Sequence, residues 1–193
     1  MYFIISGTFN GLTKLIELQL SSNQFKDLDE NIFNGLVSLE RLHLFSNKIS
    51  KLNKEIFKDL KNLRQLYLYS NMLTSIEPTT INRLSKLNFL RLEYNKLTTV
   101  KADTFVSSIQ ELYLHSNNLT GKLESFSKIT SLKVLQLESN RINNFDKTML
   151  TGLKNLEKIC LFSNPIASSL NQKDICPKES KNCKLETKTS CLV

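Results

Sequence analysis

Leu63-Arg64-Gln65-Leu66-Tyr67-Leu68-Tyr69-Ser70-Asn71-Met72-Leu73 carries the skeleton Leu-x-x-Leu-x-Leu-x-x-Asn-x-Leu, which returns along most of a 193-residue chain. It recurs at Leu15–Phe25, Leu39–Ile49, Leu87–Leu97, Ile109–Leu119, Leu132–Ile142 and, with Pro165 behind the asparagine, Leu156–Ile166. The asparagines, Asn23, Asn47, Asn71, Asn95, Asn117, Asn140 and Asn164, are spaced by 24, 24, 24, 22, 23 and 24 residues. A register kept this closely marks a solenoid whose coils stack one on the next.

Each skeleton position has a physical task. The alternation in Leu66-Tyr67-Leu68 is that of a short strand, with both leucines on one face and the tyrosine on the other. Stacked in parallel, Leu18, Leu42, Leu66, Leu90, Leu112, Leu135 and Ile159 form one inner column. The asparagine amides, placed where the chain leaves the strand, can bond backbone groups stranded by the turn, which predicts a buried asparagine ladder. Ten residues past the asparagine comes Phe33, Phe57 or Phe105, with Phe9 in the same column and Ile81 and Leu150 as replacements. Leu28, Leu52, Ile76 and Val100 fill another column, and Leu36, Leu60, Leu84 and Leu153 a third. With several apolar side chains buried per coil at about 1.5 to 3 kcal/mol each, the interfaces between coils carry the stability.

These motifs resemble the "typical" class of leucine-rich repeats, found in Toll-like receptor ectodomains, Slit, small proteoglycans and insect leucine-rich immune proteins. The resemblance implies an α/β repeat fold, a right-handed curved solenoid with a parallel β-sheet on the concave face and irregular or short helical turns on the convex side. It also implies an extracellular or cell-surface setting.

Residues 1–14 read as the tail of an incomplete first repeat, because Ile4 falls in the Leu28 column and the strand of that coil would lie upstream. Residues 15–166 hold seven repeat motifs, and 167–193 a cysteine-bearing C-terminal cap. Two residues are lost around Val106-Ser107-Ser108, so the convex side is expected to tighten there. Asn118-Leu119-Thr120-Gly121-Lys122-Leu123 resembles the Leu-Thr-Gly-x-Leu phrase of plant-type repeats, which predicts a second short strand. Asn118-Leu119-Thr120 is also a glycan acceptor sequon if the chain enters the secretory pathway. No stretch reaches the roughly 20 apolar residues of a membrane span.

All four cysteines, Cys160, Cys176, Cys183 and Cys191, lie near the carboxyl end. Cys176 and Cys183 form the favoured bridge, since Pro177 and polar turn formers close a compact loop between them, while Cys160 and Cys191 are left either paired or free. Structural zinc prefers cysteine pairs two to four residues apart, a spacing absent here. No metal and no cofactor are expected.

Catalytic signatures are missing as well. No phosphate loop, nucleophile elbow or His-Glu-x-x-His occurs, and His43 and His115 fall three coils apart, about 14 Å by the interstrand spacing. The chain is read as a non-enzyme. Its net charge of +8 raises nucleic acid as a partner, yet the lysines interleave with acids on turns and the convex side, so a solvated surface is expected and nucleic acid is not.

What the fold does not require is the composition of the outward strand columns. One reads Gln19, His43, Tyr67, Arg91, Tyr113, Gln136, Cys160, and the next Ser21, Phe45, Tyr69, Glu93, His115, Glu138, Phe162. With Phe89 and Tyr94, aromatic residues and arginine gather in the second to fifth complete repeats, a composition typical of binding hot spots. The candidate ligand-binding residues are His43, Phe45, Tyr67, Tyr69, Phe89, Arg91, Tyr94, Tyr113 and His115. Cross-strand aromatic packing that only stiffens the sheet is the competing explanation. Two functions follow: an extracellular module taking a protein or microbial ligand on the concave face, in innate immunity or cell-surface signalling, or an intracellular scaffold for protein partners.

Overall fold

The computed structural model describes residues 4–101, 103–124, 126–170, 175–178, 180–186 and 191. In chain order the strands are β1 (Glu17–Gln19), β2 (Arg41–His43), β3 (Gln65–Tyr67), β4 (Phe89–Arg91), β5 (Glu111–Tyr113), β6 (Thr120–Lys122), β7 (Val134–Gln136), β8 (Arg141–Asn144), β9 (Lys158–Cys160) and β10 (Lys184–Glu186). Eight of them form one sheet in the order β1-β2-β3-β4-β5-β7-β9-β10. Every neighbouring pair in it is parallel, as expected when each coil contributes one strand and returns by a crossover.

The register is the one the leucines demand. Leu18, Leu42, Leu66, Leu90, Leu112, Leu135 and Ile159 stand opposite one another strand by strand. From Leu42 to Ile159 all are fully buried. A slip of one residue would turn that whole column to solvent, so burial of one face fixes the pairing.

Behind each strand, Ser22, Ser46, Ser70, Tyr94, Ser116, Ser139 and Ser163 adopt left-handed φ values of 53° to 56°. That kink turns the next residue, the asparagine, into the coil. The Asn95 side chain then joins two coils: its Oδ1 accepts from the Leu73 N–H (3.0 Å), and its Nδ2 donates to the Leu68 and Leu92 carbonyls (both 3.0 Å). Asn47, Asn71, Asn117, Asn140 and Asn164 repeat this arrangement. Asn23 bonds only carbonyls of its own coil, at Leu20 and Ser21, and is exposed.

Among the described residues of the repeats the convex side has little helix: α1 (Pro78–Ile81) and single 3-10 turns at Lys147–Leu150 and Ala167–Ser169. Phe33, Phe57 and Phe105 are buried there beside Ile81 and Leu150, whereas Phe9 is half-buried. Phe126, one position out of the phenylalanine register, is also buried. The second strand expected around Thr120 is present as β6, which pairs in parallel with β8 as a separate two-stranded sheet.

The carboxyl-terminal stretch adds a strand that lacks the leucine skeleton. Leu185 of β10 stands opposite Ile159, and the Lys184 N–H donates to the Glu157 carbonyl at 2.9 Å, so backbone groups at the edge of β9 are paired. Cys176 bonds Cys183, and Cys160 bonds Cys191. Met1, Tyr2 and Phe3 of the expected first-repeat tail lie outside the described residues, as do 171–174, 179, 187–190 and 192–193 of the expected cap.

Candidate functional site

Strands β2 to β5 carry the aromatic residues outward in two tiers. In the first, His43 lies flat on Tyr67 with ring centres 4.4 Å apart, and Tyr67, Phe89 and Tyr113 follow at 5.4 Å steps in tilted contact. In the second, Phe45 stacks on Tyr69 at 4.5 Å, and the Arg91 guanidinium sits 4.6 Å from the Tyr69 ring centre and 5.4 Å from that of Tyr113. Tyr94 meets His115 edge to face at 5.4 Å. All nine candidate residues therefore share one face. Eight are half-buried against each other, and Tyr94 is 57% exposed. Cross-strand packing and an open aromatic surface coexist: the rings support one another and still present an edge or face to solvent.

Tyr94 stands apart in its column. The other six residues there are serines, which tolerate the left-handed backbone better than a bulky side chain does. The strain of seating a tyrosine at φ 55° is unexplained by packing, because most of its surface is exposed.

Charge on the face is organised around carboxylates. At its first edge Glu17 accepts from Arg41 Nε at 2.8 Å and lies 3.0 Å from His43 Nε2, and the Arg41 partnership holds its carboxyl below the usual range. Further along, the Tyr67 hydroxyl donates to Gln65 (2.9 Å) and the Tyr113 hydroxyl to Glu111 (2.6 Å). Burial, then the Glu111 hydrogen bond, push the Tyr113 phenol well above its ordinary value.

Two acids that sequence reasoning left out of the site are fully or nearly buried: Glu93 at 0% and Glu138 at 3% exposure. Their outward columns suggested solvent, but Tyr69, His115 and Phe162 in the same column crowd the space that water would occupy. Glu93 pairs with the Arg91 guanidinium, yet burial still raises its carboxyl pKa. Glu138 Oε1 lies 3.7 Å from His115 Nδ1. Burial lifts Glu138 to about 7, against its own backbone N–H and the pull of Lys158, and burial with the nearby Arg91 charge lowers His115 to about 4.

These groups border an open cavity of about 530 Å³ lined by Phe89, Arg91, Tyr94, Tyr113, His115 and Glu138, with Phe162 and Cys191 on its far side. Cys191 reaches that position through its bridge to Cys160, an outward residue of β9, and its carbonyl accepts from Gln136 Nε2 at 3.4 Å. Asn118, the sequon asparagine, is half-buried on the turn that leads into β6. Among the described residues no group of His, Cys, Asp or Glu side chains gathers as a metal site, and no helix is long and apolar enough to cross a membrane.

Compared with known proteins, the chain matches the family profile "Leucine rich repeat" over residues 3–49, 39–97 and 107–166. No curated protein matches it significantly in sequence. Among solved structures, TLR13 in its ssRNA13 complex is 31% identical, with a TM-score of 0.83 over 95% of this chain and 27% of that one. A leucine-rich repeat protein of Leptospira interrogans is 27% identical, with a TM-score of 0.64 over 91% of this chain and 50% of its own. An internalin from Listeria monocytogenes shares the fold, with a TM-score of 0.64 at 21% identity over 92% of this chain and 49% of its own. The chain thus spans about a quarter to a half of the lengths of these structures.

Proposed function

The chain belongs to the leucine-rich repeat family, and from that membership we propose that it is a non-catalytic recognition module of the typical class, binding a protein partner through the outward face of β2 to β5. The observation that carries the reading is the pair of aromatic tiers with Tyr94 held at a left-handed backbone position beside them. Rings already stacked on one another lose little freedom on binding and offer large contact areas, which is how interface hot spots are built.

The setting we assign is extracellular or at a cell surface, where the partner is a host or microbial protein. Two disulfides support it, since such bridges persist in oxidising compartments, and so does the likeness to TLR13. Asn118 is the proposed glycan acceptor, and residues 167–193 the proposed cap behind seven repeats.

Single-stranded RNA is a second reading with one observation in its favour. The expectation that nucleic acid is excluded finds no support in TLR13, whose structure is an ssRNA13 complex, and flat rings beside arginine suit base stacking. Against it stand Glu138, whose carboxylate opposes phosphate, and the engagement of Arg91 by Glu93.

Selection of displayed random peptides on the purified chain, followed by competition with a short single-stranded RNA, tests the proposal. Selected peptides that bind saturably and are not displaced by RNA support it. Failure to select any saturable peptide, together with tight RNA binding, would overturn it in favour of the second reading.

A further inference from the structure

We propose that the cavity between Tyr94 and Phe162 is a cation pocket that takes a guanidinium or ammonium side chain from the protein partner, with Glu138 as its anionic floor. This deepens the recognition-face reading and rests on it.

Unmet hydrogen-bonding capacity is concentrated here. Among the described residues, buried side-chain polar atoms without a hydrogen-bond partner include Thr80 Oγ1, Thr104 Oγ1, Arg91 Nε, His115 Nδ1 and Glu138 Oε2, while the Glu93 carboxylate is answered by the Arg91 guanidinium. All but the two threonine oxygens belong to one patch of the sheet face. A buried polar group left unmatched is destabilising, so several in one patch point to something that completes them.

The chemistry of the missing guest follows from the groups present. Glu93 faces Arg91 and its charge is answered. Glu138 has His115 beside it at 3.7 Å, and that imidazole is kept neutral; its own backbone N–H and the more distant Lys158 answer part of its charge, but no cation forms a salt bridge with it among the described residues. An ionised carboxylate only accepts, and a neutral imidazole can present Nδ1 as an acceptor too. Two acceptors side by side call for a guest with at least two N–H donors.

The surrounding rings agree with a cation. Phe89, Tyr113 and Phe162 line the cavity, and Tyr94 closes its rim beside His115. Aromatic faces attract ammonium and guanidinium groups through the ring quadrupole, more strongly as water is excluded. A phosphate would meet the Glu138 carboxylate instead, with the Arg91 cation already held by Glu93. The net charge of +8 conceals this pocket, because the one cation in its lining, Arg91, is held by Glu93, and other basic residues lie elsewhere: Lys58 and Lys86 bond Asn31 and Asn62, and Arg83 pairs with Glu55. An acidic, aromatic recess on a basic molecule selects one basic side chain of the partner rather than a basic surface.

The test is a titration of the whole chain with N-acetyl-arginine amide and N-acetyl-citrulline amide, nearly the same shape with and without charge, read by NMR at the His115 and Tyr94 rings and by calorimetry. The arginine probe should bind saturably, at least tenfold more tightly than citrulline, and release a proton at pH 6.5 as Glu138 ionises. Glu138→Gln should weaken it at least tenfold and abolish the proton release. Tyr94→Ser, which installs the residue the other coils use, should weaken it several-fold with the fold intact, whatever Glu138→Gln does to stability. Equal binding of the two probes, or arginine binding unchanged in both variants, would overturn the pocket. If selected peptides lose affinity on Tyr69→Ala while the arginine probe never binds, the pocket fails and the wider face stands. The reverse pattern, probe binding with peptides indifferent to Tyr69, retains the pocket and removes the wider face.

Discussion

His115 Nδ1 lies 3.7 Å from Glu138 Oε1 just beyond β5 and β7, with the two side chains only 14% and 4% exposed. Folding moves their pKa values in opposite directions across almost the same range, from 6.5 to about 4 for the imidazole and from 4.5 to about 7 for the carboxyl. At pH 5 to 6 the folded pair holds one proton on the carboxyl, and the unfolded pair holds one on the imidazole.

Stability contributed by this pair should therefore be nearly level between about pH 5 and 6. The raised Glu138 contributes stability that is complete below 4.5 and lost as pH rises through 7; the depressed His115 contributes stability present above 6.5 and lost as pH falls through 4. Relative to wild type, His115→Gln should lose about 2–3 kcal/mol between pH 4.5 and 7, and Glu138→Gln should gain a similar amount between pH 4 and 6.5. Urea unfolding across that range checks both; profiles parallel to wild type would refute the opposed shifts.

Arg91 has a structural share besides its surface one. Replacing it by Ala strips the buried Glu93 of its cation, and a third of the Arg91 side chain is exposed, so water screens part of the loss. A destabilisation of about 1–3 kcal/mol is expected, largely recovered when Glu93→Gln is added. A double-mutant cycle without coupling would contradict the pairing. Loss of ligand binding in Arg91→Ala alone must accordingly be corrected for stability.

The asparagine ladder gives a graded prediction. Asn95→Ala leaves the Leu73 N–H unmatched in the interior and takes one of two donors from the Leu68 and Leu92 carbonyls, which keep Asn71 and Asn117, and should cost about 2–3 kcal/mol. Asn23→Ala removes only bonds within one exposed turn and should cost less than about 1 kcal/mol. Equal losses in denaturant unfolding would mean the cross-coil bonds contribute little.

Much of this frame is legible in the sequence, and the reason is repetition. Leu66 and its counterparts occupy positions whose burial every neighbouring coil demands, so one register error would fail seven times over. The ladder follows from the same register. β10 was not legible, because Cys183-Lys184-Leu185-Glu186 has a single apolar residue to place and is recruited by the open edge of β9 rather than by its own pattern. Glu93 and Glu138 were not legible as buried acids, since period-two alternation assigns a face and says nothing about how completely neighbouring side chains roof it. Tyr94 was half legible: its departure from a column of serines is visible in the letters, but the left-handed backbone beneath it is not.

Reduction should act unevenly. The Cys160–Cys191 bridge closes 31 residues of sequence separation against 7 for Cys176–Cys183. Chain-entropy arguments give about 3–4 kcal/mol for the longer loop and about 2 for the shorter. Hydrogen exchange after mild reduction should show β9 and β10 opening before β3 and β4; uniform opening would contradict a stabilising role at the carboxyl end.

Recognition by the outward sheet face is tested by matched titrations of one selected peptide against Tyr69→Ala and Lys54→Ala. Tyr69 stacks on Phe45 and carries Arg91, whereas Lys54 is an exposed residue of the convex turn. Tyr69→Ala should lose about 1–3 kcal/mol of binding, with both variants folded, and Lys54→Ala should show no measurable change. Equal losses from both, or a loss confined to Lys54→Ala, would contradict it.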